Sequence, residues 1–298
     1  MNTTKKIFSI LMAVALICAV FAGCSKQEGG EAEEITAKTM LIAYTEEKAP
    51  FIFTNENGEL DGFDVKLIKE TFESFKGEYE NYKFIKVDSN FRIDEDVCYI
   101  DEDICRTDKN GNEFNAVIMC GGLQKNVGTN NEDYRWSTNL IKNDVITVVK
   151  NNSEIADYNG LTGMPAAVVS DFSQSALDKN DAIKSRLAST VAYNDTAEAF
   201  GDLEKGIVNA IVIDSFTYNV YVKENNIADY YKVLNGVLDT AEYGFGFSSK
   251  TDYSGGFNEA VKEMLSADYG EGDTLTPLIT EYFGYGEACA FTFEEESK

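Results

Sequence analysis

Short apolar runs closed by glycine or by small polar residues recur along this chain, and they constrain its fold more than any other feature. Thr39–Thr45 (TMLIAYT), Asn115–Cys120 (NAVIMC), Ala166–Val169 (AAVV) and Ile207–Ile213 (IVNAIVI) read as short buried strands. Tyr82–Val87, Val145–Val149 and Tyr243–Phe247 read as further strands. Helical patterns fall between them. Phe63, Leu67, Phe72 and Phe75 form one apolar stripe, and a second helix starts at Ser173. Asp195 and Thr196 are caps for a helix ending at Lys205, with Gly206 as its stop, and Phe257–Leu265 is helical. Asn57-Gly58 marks a hairpin turn. Strands alternating with helices predict an α/β architecture with mostly parallel sheets. At 298 residues the chain is long enough for two lobes of ordinary size.

Ligands of open α/β sheets bind off the carboxyl ends of the strands. Here those ends are Glu46-Glu47-Lys48, Gly121-Gly122, Ser170-Asp171-Phe172-Ser173 and Asp214-Ser215, which predicts one polar edge per lobe facing a shared cleft. Helix N-termini there offer backbone N–H groups to a carboxylate or phosphate, and Asp214 suits an ammonium group. Each position also has a purely structural reading. Asp171, Ser173 or Asp214 can be helix caps, Phe51 and Trp136 can be core aromatics, and Gly121-Gly122 can be a turn or a point of close backbone approach.

Charge and residue types narrow the function. The net charge is −25, and removing residues 1–23, with Lys5 and Lys6 and no acids, gives −25 − 2 = −27. Such a field repels nucleic acid and anionic lipid. The chain has no histidine, which excludes imidazole bases and His-based metal sites, and no metal or other cofactor is expected. Asp94–Asp103 holds six acids in ten residues and precedes Asp108–Glu113 (DKNGNE). With Gly111 sixth in a calcium loop, Arg106 and Val117 would occupy ligand positions one and twelve, so a solvated hairpin at Asn110-Gly111 is the expectation.

The N-terminus reads as an address. Lys5 and Lys6 precede the apolar run Ile7–Ala22, whose 16 residues fall short of the ~20 that span a bilayer. Phe21-Ala22-Gly23-Cys24 resembles a bacterial lipobox, and cleavage there leaves Cys24 as a lipidated N-terminus and membrane anchor. Residues 24–39 are polar and Gly/Glu-rich, as a tether is. Export permits disulfides, and Cys98, Cys105, Cys120 and Cys289 allow three pairings.

Several segments together resemble the family 3 extracellular solute-binding proteins, the amino-acid receptors of ABC importers. They are Ala49–Phe53 followed by Asn57–Val65 (NGELDGFDV), Ala199–Asp214, Tyr243–Phe247 and Ile279–Gly284 (ITEYFG), in family order from about residue 40 to 285. The resemblance implies a type II periplasmic-binding-protein fold, with two mixed sheets joined by a two-strand hinge. It places lobe 1 at 40–141 plus 241–286, lobe 2 at 142–240 and a tail at 287–298. It also implies a monomer that closes on a small molecule and delivers it to a permease. Asp214 would bind the ligand's amino group, and Asp171–Ser173 would donate to its carboxylate. The expected ligand set is Lys48, Phe51, Gly121, Gly122, Arg135, Trp136, Asp171, Phe172, Ser173 and Asp214.

The chain also departs from the family. Gln124–Asp133 lacks the family's carboxylate-clamping arginine, and Arg135 stands several residues later, as its replacement or as a surface residue. Lys48 occupies a position that is often aromatic, and Asp171 one that is usually Gly. These departures set the site apart from one for an ordinary free α-amino acid, and its acidic wall points to a cationic or polar ligand. A ligand-sensing or surface-interaction lipoprotein, or a dehydratase-like enzyme using Asp171 and Asp214, are the alternative functions on this scaffold.

Overall fold

The computed structural model describes residues 35–89, 91–94, 115–125, 134–266, 273–285 and 288. The first half contains β1 (Thr39–Tyr44), the hairpin β2 (Phe53–Thr54) and β3 (Leu60–Asp61), α1 (Phe63–Phe75), β4 (Asn81–Lys86), β5 (Ala116–Gln124) and β6 (Tyr134–Trp136). Then come β7 (Ile141–Lys150), β8 (Pro165–Val169), α2 (Asp171–Lys179), α3 (Asp181–Lys184), β9 (Ser189–Tyr193) and α4 (Thr196–Lys205). β10 (Ala210–Asp214), α5 (Ser215–Asn225), β11 (Tyr231–Val233), β12 (Asp239–Ser248), α6 (Tyr253–Leu265) and α7 (Leu275–Phe283) complete the order.

The main sheet runs β4-β1-β5-β12-β7-β10-β8-β9, with β6 beside β12 and β11 beside β7. β1 is parallel to β4 and β5 at one end, and β8 is parallel to β10 and β9 at the other. The centre is antiparallel: β12 pairs with β5 and β7, and β7 pairs with β10. Parallel βαβ units therefore build the two ends, and two long strands cross between them. Because those strands bond to each other as well as to both ends, the hydrogen-bond ladder is continuous through the hinge. For the same reason the sheet is mixed where the alternation pattern predicted mostly parallel pairing.

Hydrophobic runs become buried strands because both faces of the sheet are covered. On β1, Met40 and Ile42 enter one apolar cluster with the α1 stripe, while Leu41 and Ala43 enter another with Ile85, Phe91 and Met119. β10 repeats the pattern, with Ile211 and Ile213 on one face and Ala210 and Val212 on the other. Each of the larger side chains among them, Met, Leu, Ile or Val, contributes about 1.5–3 kcal/mol. Aromatic rings lock the α1 layer: Phe72 meets Tyr82 at 4.8 Å and Phe75 meets Phe257 of α6 at 5.4 Å between centroids.

Several element boundaries differ from the sequence expectation. β10 starts at Ala210, because Gly206 is left-handed and Ile207 N–H bonds back to Asp202 O at 2.9 Å, closing α4 and leaving Ile207 exposed. α2 starts at Asp171, and its cap is Ser170, not Asp171 or Ser173. α4 is capped by Asp195 and stopped by Gly206 as expected. Cys24, Cys98, Cys105, Cys289 and the acidic hairpin beyond Asp94 lie outside the described residues, whereas Cys120 carries a buried free thiol.

The Gly121-Gly122 step in β5 needs its glycines. Gly122 has φ +66°, and a Cβ there would stand 2.5 Å from the Phe51 ring. Gly122→Ala is therefore expected to cost at least about 2 kcal/mol, from left-handed strain and overpacking together. Gly58→Ala, also at positive φ but with open space around it, should cost about half as much. Urea unfolding of both variants checks the order, and equal costs would refute the close-packing argument.

Candidate ligand-binding site

The residues around Asp214 form a connected polar network. Asp214 ends β10 and caps α5, so its backbone is fixed by the sheet and its carboxylate by the helix. Oδ1 accepts Thr217 N–H at 3.1 Å and Asn143 Nδ2 at 3.1 Å, and Oδ2 accepts the Thr217 hydroxyl at 2.9 Å. Asn143 comes from the crossing strand β7. Its Oδ1 accepts the Ser215 hydroxyl at 3.0 Å and Phe216 N–H at 3.2 Å. The start of α5 is thus tied to β7 rather than free to receive an anion. A carboxylate has about four acceptor sites. Three are used here, which leaves one on Oδ2.

A cavity of about 590 Å³ opens in front of this network. Asn143, Asp214 and the α5 face Thr217, Val220, Tyr221 and Glu224 form one wall. Lys48, Ala49, Pro50 and Phe51, with Tyr243 and Tyr282, form the facing wall. A second cavity of about 410 Å³ continues past Thr196 and Thr217, which line both, to Ser170, Asp171 and Gln174. The floor is aromatic. Phe51 packs on Tyr243 at 4.9 Å and on Phe283 at 5.2 Å, and Phe216 packs on Phe283 at 4.6 Å. Each such pair adds about 0.5–1.5 kcal/mol beyond area burial. The rings therefore hold the first turn of α5 against α7 and the Phe51 turn.

The expected site residues divide accordingly. Lys48, Phe51, Asp171 and Asp214 line the connected cavities. Ser173 does not: it is fully buried, and its hydroxyl is bonded to Ser170 Oγ at 3.1 Å. Phe172 is half-buried and packs against the apolar clusters of both halves. Gly121 and Gly122 face inward, against Phe51 and Asp64, and line neither cavity. Arg135 lies on the surface, where Nη1 pairs with Asp252 at 2.7 Å. Trp136 stands edge-on to Tyr134 at 5.3 Å with Lys125 Nζ 5.7 Å from its ring, away from the cavities. Burial beside that ring lowers the Lys125 ammonium to about 8.

Asp64 lies in the Asn57–Val65 segment, whose pattern assigns it no role, and the structure gives it one. It sits in the first turn of α1 at 3% exposure, and its Oδ2 accepts Gly121 N–H at 2.8 Å and Gly122 N–H at 3.1 Å. Burial pushes its carboxyl up to about 7, against the opposing pull of the two N–H bonds and of Lys48. Burial, then the Asp64 charge, raises the Cys120 thiol in turn. Tyr243 is likewise raised, by burial first and then by the Asp214 charge. Asn143, Tyr221 and Glu224 also belong to the site and carry no motif, while Tyr243 and Tyr282 lie in the family-like segments Tyr243–Phe247 and Ile279–Gly284, which gave them no site role. The one sequence signal was the Asp214/Thr217 spacing, which matches an N-cap.

No protein-family model and no curated protein matches the sequence. Solved structures do match. A polar amino acid ABC uptake transporter substrate-binding protein from Streptococcus thermophilus is 19% identical, covering 84% of this chain and 88% of that one, with a TM-score of 0.61. The L-cystine solute receptor of Neisseria gonorrhoeae, in its unliganded open conformation, is 18% identical over 84% and 94%, with a TM-score of 0.59. Substrate-binding domain 2 of Lactococcus lactis GlnP, also open, is 15% identical over 86% and 98%, with a TM-score of 0.53. The fold is the two-lobed type II fold of ABC-transporter substrate-binding domains. The cavity lies beside the crossing strands, with Asn143 of β7 and Tyr243 of β12 in its walls.

The elevated Asp64 pKa predicts a pH dependence of stability. Asp64 takes up its proton in the native state near pH 7 and in the unfolded chain near 4. Its contribution is therefore complete below about pH 4 and is lost as pH rises through about 7, by up to about 1.4 kcal/mol per pH unit. Asp64→Asn keeps an acceptor for both glycine N–H groups and should flatten that slope between pH 4 and 7. Equal slopes for the two proteins in urea unfolding would overturn the assignment.

Proposed function

We propose that the chain is an extracytoplasmic solute-binding protein that captures a small polar solute, an amino acid or related compound, and delivers it to an ABC importer. Lobe 1 comprises residues 40–141 plus 241–286 and lobe 2 residues 142–240, joined by β7 and β12 as hinge. The observation that carries the proposal is the cavity between the halves, with the buried Asp214 carboxylate on one wall and Lys48 on the other. A ligand touching both walls favours the closed arrangement by its differential affinity for it, and the permease reads that state. The structural likeness to amino-acid-transporter binding domains supports the reading.

Retention at the membrane follows from Cys24. Among the described residues no helix is long and apolar enough to cross a membrane, and the apolar run Ile7–Ala22 precedes them. Expressed in a bacterium supplied with labelled palmitate, the native chain should incorporate label and the Cys24→Ala chain should not. Label on both would refute lipidation at this residue.

The cargo reading is tested by melting the mature domain with and without L-amino acids, opines, polyamines, short peptides and sugars. A ligand of the native state raises the melting temperature, by about 2.7 kcal/mol of stabilisation at a hundred times its Kd. Asp214→Asn keeps an acceptor for Thr217 N–H and so spares the helix cap, but removes the charge. It should weaken binding of any ammonium-bearing ligand by roughly tenfold or more. A native melting temperature unmoved by every compound would sink the receptor reading.

A further inference from the structure

The walls of the cavity carry opposite charges, and among the described residues the cation has no carboxylate at ion-pair distance, although its field reaches the buried Asp64. Of the described residues lining the cavity, Lys48 is the only base, and Asp214 and Glu224 are the only acids. Among the described residues no ion pair within 4.0 Å involves Lys48. Its ammonium instead rests 5.8 Å from the Phe51 ring centroid, 5.6 Å from that of Tyr243, and 3.5 Å from Gly122 O. Its backbone is held by a tight turn. Lys48 N–H donates to Ile52 O at 2.7 Å, and Phe51 and Ile52 N–H groups donate to Lys48 O at 2.9 and 3.1 Å. The charge is therefore presented from a fixed point, over two rings whose faces favour a cation, with donor capacity left unused.

We infer that Lys48 is the anion anchor of this cleft, and that the ligand is a compact zwitterion with its carboxylate on Lys48 and its ammonium at the last free acceptor site of Asp214. This rests on the solute-binding reading. Both charges flank one residue: Lys48 stands over the Tyr243 ring, and Asp214 is close enough to raise the Tyr243 hydroxyl. An acid group and an amino group only a few bonds apart match that layout. Two other candidate carriers of positive charge are placed elsewhere, since Arg135 is engaged with Asp252 and Lys125 lies beside Trp136. The remaining lining supplies apolar surface from Phe216, Val220, Tyr221 and Tyr282 for the body of the ligand.

The experiment compares each of the twenty L-amino acids with its carboxamide and its decarboxylated amine, by melting-temperature shift and then calorimetry. It uses the native mature chain, Lys48→Gln and Lys48→Arg. The native chain should bind the acid and not the carboxamide or amine. Lys48→Gln should bind the acid about ten- to a hundredfold more weakly and lose the discrimination, while Lys48→Arg should keep it. The unliganded melting temperature of Lys48→Gln, read in the same run, should stay near that of the native chain, because the side chain is exposed. Equal binding of acid and carboxamide by the native chain, or unchanged acid affinity in Lys48→Gln, overturns the anchor and leaves the receptor reading standing. No shift with any of these compounds overturns both.

Discussion

The antiparallel pair β7–β12 is the constraint on which both the fold and the site depend. Each strand is ten residues long, and each carries one parallel unit on its outer side. The pair is also where the cavity is built, since Asn143 from β7 and Tyr243 from β12 both line it. Tyr243 pairs with Ile141 across the ladder, and Thr240 and Ala241 pair with Asp144 and Asn143. A hinge made of hydrogen-bonded strands can bend while preserving its register.

Asn143 couples that hinge to the ligand-facing wall. Its amide spans Asp214, Ser215 and Phe216, so the first turn of α5 is attached to the crossing strand by three hydrogen bonds. In a buried setting a polar group of this kind is expensive to leave unpaired, so the four residues hold one arrangement as a unit. Asp64 does the equivalent on the other wall, where its two bonds to Gly121 and Gly122 keep β5 pressed on Phe51. Each wall is thus positioned by one buried polar side chain; Asn143 also lines the cavity, and Asp64 does not.

Much of the fold was legible because burial on both sheet faces leaves unbroken apolar runs, as in β1, β8 and β10. The strand-end rule located Lys48, Asp171 and Asp214 at the cavities for the same reason, and Phe51 came with the family-like segment Ala49–Phe53. What the sequence hid was orientation within those turns. Ser170 takes a left-handed φ of 81° and caps α2, which turns Ser173 into the core. Arg135 sits on β6, opposite Phe247 of β12, and only that pairing directs it to Asp252. α5 was the hardest element to see. Its Thr217, Tyr218, Val220, Tyr221 and Val222 favour strands by propensity, and its helical state rests on the Asp214 cap and on packing against α7.

That dependence of α5 on Asp214 bears on how the site can evolve. One carboxylate caps the helix, bonds the hinge strand and presents a single remaining acceptor to the cavity. Losing it would remove a cap worth about 1 kcal/mol and strand a buried amide, so an acceptor at this position serves folding whatever the cargo. Lys48 has no such duty, because its side chain is exposed and its turn is held by backbone bonds alone. On the facing wall, position 48 can therefore change at little cost to the fold, whereas Phe51 and Tyr243 beside it are buried and packed. A cation at Lys48, together with the lack of arginine in Gln124–Asp133, is consistent with the proposed role of Lys48 as the anion anchor.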